Sequence, residues 1–289
     1  MIGTGRVGAV LAGALRAAGH AVVGASAVSV ASRERVDALL PGVPVLEVPQ
    51  IVERAELVLI AVPDDALPGL VTGLAATGAW QPGQLVVHTS GRYGWRVLEP
   101  AVGCGAIPLA LHPAMTFTGT SLDLARLPDC TFGVTAPGPV LPIAQALVVE
   151  MGAEPVVIAE EMRGLYHSAL AHGSNHLVTL VAQSLDLLRE AGVETPGRVL
   201  GPLLFAALDN ALRSGDDALT GPVARGDAGT VTSHLQAIGR ADQATAGSAG
   251  VLETYRAMAR ATADRALASG RLRADAAEAL LDALGASPE

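Results

Sequence analysis

The chain has 289 residues, 50% of them hydrophobic, with 28 acidic and 19 basic side chains and a formal net charge of -9. Such a chain is long and apolar enough for two packed cores, which excludes collagen-like and disordered classes. The acidic balance, with only two Trp, three Tyr and three Phe, excludes a nucleic-acid surface built on a basic field and stacking platforms.

All the basic residues are Arg, so lysine Schiff bases, a pyridoxal phosphate anchor, a Walker-type phosphate lysine and a lysine general acid are excluded. Charged residues make up 16%, below the roughly 25% of ordinary soluble domains, and this neutral surface points to coverage by a partner subunit, expected to be a homodimer. Cys104 and Cys130 form no spacing motif, so neither a disulfide framework nor a thiolate zinc site is expected and a reducing, cytoplasmic setting fits.

In chain order, residues 1 to 158 alternate short β-rich runs with helical stretches, the signature of a doubly wound, mostly parallel sheet. Gly3-Thr4-Gly5-Arg6-Val7-Gly8 is a G-x-G-x-x-G that opens a helix expected over 6–18. Its glycines would supply a tight turn, a close backbone approach to a pyrophosphate and close helix packing, with the helix N-terminus offering amide donors to the phosphates. The early Arg6 and the small apolar residues after it resemble a weak secretory signal, but Gly3, Gly5, Gly8, Gly13 and Arg16 interrupt it. The strand that should precede the glycines is almost absent, which suggests a start upstream of Met1 or a shortened strand.

The next run, Ala21 to Ser26, is expected to be a strand. An NAD site usually places an acid about 20 residues beyond the glycines, yet residues 26–32 carry none and Arg33 follows. NADP is therefore favoured as cofactor, with Ser32, Arg33 and Arg35 available for a 2′-phosphate; a solvated helix start is the alternative for the arginines. A helix at 33–40 and a strand at Val43 to Val48 complete this stretch. The continuously apolar run 57–62 reads as a strand buried on both faces, followed by Val62-Pro63-Asp64-Asp65 and a helix at 66–76.

Strand 84–89 ends in His88-Thr89-Ser90-Gly91, and strand 106–111 in His112-Pro113; carboxyl ends of parallel strands are where open α/β sheets place ligands. Val62, Pro63 and Ser90 are thus expected beside the cofactor, with ordinary helix or turn capping as the alternative for the polar residues. Uncharged stretches 66–91 and 100–122 are interrupted by prolines, so no membrane span is expected. Further strands are expected at 130–135 and 155–159, with a helix at 139–151.

From Glu160 the strand signal ends, and helices are expected at 160–191, 196–213, 227–239, 243–269 and 273–284. This gives a sheet domain over 1–158 and a helical substrate or dimerisation domain over 159–289, with a cleft expected between them. Ser168, His172, Asn175 and Thr179 form one polar stripe on a helix, and His172 is the first candidate for a general acid protonating a carbonyl oxygen, with a hydrogen-bonded core or subunit seam as the alternative. His172 and His176 have zinc spacing but no evident third ligand, so no metal is expected. Arg225, in Leu219 to Asp227, could bind a substrate carboxylate or pair with Asp227. His112 is the second candidate acid.

Gly3 to Gly8, His88 to Gly91, Leu111-His112-Pro113, Leu165-Tyr166-His167, Ser174-Asn175, Asn210, Leu219 to Asp227 and His234-Leu235 together resemble a family of Rossmann-like proteins carrying a helical C-terminal domain of unknown function, similar to NADP oxidoreductases and to coenzyme F420-dependent ones. More distantly the chain is similar to the 6-phosphogluconate and β-hydroxyacid dehydrogenase superfamily, ketopantoate reductases included. That resemblance implies a two-domain, often dimeric reductase. Those relatives use a lysine and an asparagine one helical turn apart; Asn175 matches the asparagine, but Ala171 stands at the lysine position. The expectation is therefore an NADP-dependent reductase of a small carbonyl acid, with a non-catalytic NADP-binding protein and an F420-dependent enzyme as alternatives.

Overall fold

A computed structural model describes residues 1–244 and 250–285. Packing divides the chain into two units, Met1–Gly173 and Ser174–Glu289, and the division falls inside one long helix.

The first unit contains a five-stranded sheet of β1 (Leu57–Ile60), β2 (Leu85–His88), β3 (Ile107–Pro113), β4 (Thr131–Thr135) and β5 (Glu154–Val157), in that spatial order. β1, β2 and β3 run parallel; β4 is antiparallel to β3, with His112 opposite Gly133, and β5 is parallel to β4. Its helices are α1 (Arg6–Ala17), α2 (Val30–Leu39), α3 (Val48–Arg54), α4 (Leu67–Ala76), α5 (Glu99–Val102), α6 (Ser121–Arg126) and α7 (Leu141–Glu150). The long helix α8 (Arg163–Glu190) starts in this unit.

The apolar run 57–62 is buried on both faces, as its composition requires. Leu57 and Leu59 pack into one hydrophobic cluster with α1 and α7 residues, while Val58 and Ile60 point into the other, against α3, α4 and α5. Each fully buried Leu, Ile or Val of this kind contributes about 1.5–3 kcal/mol.

Beyond β1 the sheet shrinks to single bridges. Ile2 pairs in parallel with Ile60, and Ala25 with Val45. The strands expected at 21–26 and 43–48 are therefore corrected to one-residue pairings, and Val48 instead begins α3. The physical cause is the partner: Met1 and Ile2 alone stand between β1 and residues 24–26, so the backbone before Gly24 has no neighbouring strand to bond. The Met1 ammonium donates to the Gly24 carbonyl at 2.9 Å, and Ser26 N–H donates to the Met1 carbonyl at 2.9 Å. Alongside lies a cavity of about 370 Å³ lined by Met1, Leu15, Val22, Val23, Leu57 and Leu59 among others. It sits at the amino ends of the strands, away from the end where α/β sheets hold ligands.

The second unit is helical: the remainder of α8, then α9 (Pro196–Ser214), α10 (Gly221–Arg225), α11 (Ala228–Ala244), α12 (Val251–Ala268) and α13 (Ala274–Gly285). Its core joins α10 to α13 through Val231, Leu235, Leu252, Ala263, Leu280 and neighbours. The short α10 falls between the helices expected at 196–213 and 227–239. The helix expected at 243–269 partly falls on residues outside those described. Among the described residues, no helix is long and apolar enough to cross a membrane.

Candidate functional site

The glycine loop is held by its neighbours. Gly3 has φ +85°, a left-handed conformation, and its N–H donates to Ser26 Oγ at 2.9 Å. Thr4 is buried, with both its N–H and its hydroxyl donating to the Ser26 carbonyl. A Cβ on Gly3 would stand 2.5 Å from the Ala61 carbonyl oxygen and 3.2 Å from Val62 Cγ1; one on Gly8 would meet the Gly3 carbonyl and Met1 Cε. The fold itself therefore requires Gly3 and Gly8.

Gly5 is different. It is the N-cap of α1 at φ -66°, a conformation any residue adopts, and nothing lies within 4 Å of the position its Cβ would occupy. No side chain caps α1, so the first amides of the helix face outward beside this open space. A gap that the fold does not need, beside uncapped helical amides, fits a pyrophosphate. Arg6 and Val7 follow on the first turn of α1, Val62 lies against Gly3 on the other side of the loop, and the Pro63 carbonyl accepts the Ala66 N–H that leads toward α4.

Toward the adenosine end, Ser32 is the third residue of a reciprocal cap with Ser29, its hydroxyl donating to the Ser29 carbonyl at 2.7 Å and accepting the Ser29 N–H. Ser32 is thus a structural cap at the start of α2. Arg33 is exposed on α2. Arg35 and Arg6 converge on Gly119, whose Cβ position lies 2.9 Å from Arg35 Nε and 3.0 Å from Arg6 Cγ. Among the described residues, none of Arg6, Arg33 and Arg35 is paired with a carboxylate.

At the carboxyl end of β2, His88 is fully buried. It bonds the Gly94 carbonyl through Nε2 at 2.8 Å, while Nδ1 accepts the Ser90 N–H at 3.2 Å, a pattern that fixes a neutral ring with hydrogen on Nε2. Burial pushes its pKa down to about 3. Ser90 Oγ accepts the Tyr93 N–H at 3.2 Å. His88 is therefore a strut for the turn at 88–94, and Ser90 shapes the same turn.

A cluster forms at the carboxyl end of β3. His112 Nδ1 lies 3.0 Å from Tyr166 Oη, with the rings edge to face at 5.6 Å; the His167 ring stands 5.8 Å away on another side. Two glycines make room. A Cβ on Gly91 would come within 2.6 Å of His167 Cδ2 and 2.9 Å of His112 Nε2, and one on Gly133 within 2.6 Å of Tyr166 Oη. Beneath the Tyr166 ring, 5.8 Å from its centroid, lies the Arg163 guanidinium, only 1% exposed. Arg163 Nη2 donates to the Ala110 carbonyl at 3.1 Å, while its Nε and Nη1 are buried without a hydrogen-bond partner.

The electrostatics follow from this burial. His112 is driven down to about 4 by burial first, then by the Arg163 and His167 charges, so it is neutral at pH 7. Arg163 is lowered by burial to about 10 and keeps its charge. Burial raises the Tyr166 phenol, while Arg163 and a backbone hydrogen bond from Gly133 pull the other way. Among the described residues no group of three or more His, Cys, Asp or Glu is arranged to hold a metal ion.

The other expected residues are described by their own elements. His172 and Asn175 are exposed on α8, with Asn175 Oδ1 accepting from Ser174 Oγ at 3.0 Å. Arg225, exposed at the end of α10, belongs to the second unit. Asp227 does not pair with it: its carboxylate accepts Thr230 N–H at 3.0 Å and Thr230 Oγ1 at 2.7 Å, and these bonds hold it below the usual carboxylate range. The alternative reading of an Arg225–Asp227 ion pair is replaced by a cap at the start of α11. Sequence reasoning assigned no role to Arg163, Tyr166 or His167; the one available signal was an aromatic-histidine pair opening the first long helix after a strand-end His-Pro.

A Rossmann-like domain family matches residues 1–113, and the domain of unknown function DUF2520 matches residues 130–262. A search of curated proteins finds no match. Among solved structures, a candidate NADP oxidoreductase from Bacteroides fragilis has a TM-score of 0.72 at 20% identity, over 91% of this chain and 96% of that one. An imine reductase from Myxococcus stipitatus in complex with NADP+ has a TM-score of 0.62 at 17% identity, over 93% and 94%. A reductive aminase from Aspergillus terreus has a TM-score of 0.63 at 18% identity, over 97% and 96%. These likenesses show a shared fold along nearly the whole length. Along the chain, a match to a Rossmann-like domain is thus followed by a match to the domain of unknown function DUF2520.

Proposed function

We propose that the chain is an NADP-dependent oxidoreductase that reduces the carbonyl or imine bond of a small substrate. The observation that carries this reading is Gly5: the fold explains Gly3 and Gly8 but leaves the space beside Gly5 open against uncapped helical amides, as a bound pyrophosphate requires. Arg6 and Arg35 beside Gly119, with Arg33 exposed nearby, offer guanidinium forks to a 2′-phosphate where NAD sites carry an acid. The fold it shares with reductases solved with nicotinamide nucleotides supports the same reading.

Bound at this loop, NADPH supplies a hydride; the protein supplies the proton. His112 and Tyr166 lie at the ligand end of the sheet, whereas His172 and Asn175 are exposed on α8 and Arg225 on α10, where substrate contacts are their proposed role. The direct test is thermal shift with NADPH and NADH, then turnover on 2-keto acids, ketopantoate included, and on small cyclic imines. NADPH stabilisation with turnover of one class is expected; no stabilisation by either nucleotide would overturn the proposal. One observation favours a second reading, an NADP-binding protein without turnover: Ala171 stands where the distant dehydrogenases carry their lysine. Binding without turnover across the panel would support it.

The active form is proposed to be a homodimer through α8 and α9. Among the described residues only Arg163 on α8 and Pro196 on α9 are buried, and Val199, Leu203, Phe205, Leu208 and Leu212 are exposed around α9. An exposed apolar helix face of this kind needs covering. Sedimentation should give twice 29.2 kDa, reduced to 29.2 kDa by Leu212→Glu; a wild-type monomer would overturn the dimer.

A further inference from the structure

The Tyr166 phenol has a setting that packing alone does not call for. It lies against the backbone of β4 because residue 133 is glycine, and its oxygen sits at hydrogen-bond distance from His112. The Arg163 guanidinium under its ring is a buried cation with two nitrogens unpartnered, a costly arrangement unless nearby negative charge develops at some stage.

We propose that Tyr166 is the proton donor of the reaction, with His112 Nδ1–H donating to the phenol oxygen and Arg163 stabilising the phenolate left behind. This rests on the proposed reductase reading and names a residue for it.

A phenol oxygen has two acceptor positions and one hydrogen. With His112 Nδ1–H donating to one acceptor position, the phenol hydrogen is free for a ligand at the carboxyl end of β3. The opposite arrangement, with Tyr166 donating to His112, would turn that hydrogen away. The Arg163 guanidinium beneath the ring favours electron density on the phenol oxygen, and with it the first arrangement. In the step itself, hydride from the reduced nicotinamide dinucleotide forms a C–H bond at the substrate carbon. The π pair of the C=O or C=N bond moves to the heteroatom, and the Tyr166 O–H bond breaks as its proton bonds there. The phenolate, held by Arg163, is reprotonated from water.

The charged and titratable groups around this phenol are His112 on β3, His167 and Arg163 on α8, and the Cys130 thiol; Glu160, whose carboxylate accepts Trp95 N–H at 2.9 Å and Arg96 N–H at 3.2 Å, acts on Arg163. None has a hydrogen-bonding atom closer to Tyr166 Oη than His112 Nδ1 among the described hydrogen bonds.

Two measurements on the full chain decide the proposal. Nitrogen NMR of histidine-labelled protein, with His112 assigned through His112→Gln, reads the tautomer without any turnover, so failure of the reductase reading and failure of this one are separable. A protonated Nδ1 on His112 is expected; an unprotonated Nδ1 would overturn the proposal. On a substrate that the wild type turns over, Tyr166→Phe should bind NADPH within about twofold of wild type and lose about 100-fold or more in kcat. Gly133→Ala, which displaces the phenol, should show the same kcat loss with NADPH binding retained. Full kcat in Tyr166→Phe, or the whole loss appearing in His172→Ala instead, would overturn it.

Discussion

Replacing Gly5 with Ala separates what the fold needs from what a ligand needs. The residue sits at φ -66° and its Cβ would meet nothing within 4 Å, so no strain or overlap is introduced. Alanine is a poorer N-cap than glycine by roughly 0.5 kcal/mol, and losing glycine's freedom in the unfolded chain returns about 0.4–1 kcal/mol. The net stability change is about zero, a shift of at most about 2 °C in Tm. A methyl placed where a pyrophosphate must approach should cost about 1–3 kcal/mol of binding, or about 5- to 150-fold in NADPH affinity. Gly3→Ala is the contrast. It forces a side chain to φ +85°, about 1–3 kcal/mol, and sets a Cβ 2.5 Å from a backbone oxygen, about 1–3 kcal/mol more. Its Tm should fall well beyond that of Gly5→Ala. Scanning fluorimetry with and without NADPH reads both quantities. Wild-type NADPH affinity in Gly5→Ala would show that the open space holds no ligand.

Two further outcomes concern pH and packing. His88 and His112 titrate at about 3 and about 4 in the folded chain against an ordinary 6.5, so below that pH the unfolded chain binds protons that the folded chain does not. Stability is full above about pH 6.5 and falls by about 1.4 kcal/mol per pH unit for each ring as pH drops toward the folded values; His112→Gln should flatten that slope in urea unfolding, and an unchanged slope would place a charged His112 in the folded chain. The Met1 amine is lowered by burial from 8.0 to about 6, so its contribution is present above pH 8 and lost as pH falls through 6, about 2.7 kcal/mol over the two units. Several β-branched residues placed ahead of Met1 should enter the cavity of about 370 Å³, raise the midpoint and remove that pH dependence; an unchanged midpoint would count against the cavity as a strand position.

The alternation of strand and helix was legible because strands buried on both faces are written as unbroken apolar runs, as at Leu57 to Val62. The pairings around Ala25 and Val45 were not, because whether an extended segment becomes a strand depends on its neighbour's length, and Met1 and Ile2 supply only one bridge to Ile60 and two hydrogen bonds to residues 24–26. The reversed direction of β4 leaves no trace in periodicity, since hydrophobic alternation is the same in either sense. Within the site, the glycine spacing named the loop but could not say which glycine serves the fold and which serves a ligand. His88 and Ser90 divided between ligand contact and capping until their partners were known. Tyr166 and Arg163 were least legible, because their chemistry comes from residues about 50 positions away: 53 separate Arg163 from Ala110, and 54 separate Tyr166 from His112.

Calorimetric titration of the full chain with NADPH and, separately, NADH bears most directly on the reading of this molecule as an NADP-dependent enzyme. Saturable binding of NADPH, about tenfold or more tighter than NADH, is the expected result; absence of saturable binding by either nucleotide, or a preference for NADH, would be incompatible with it.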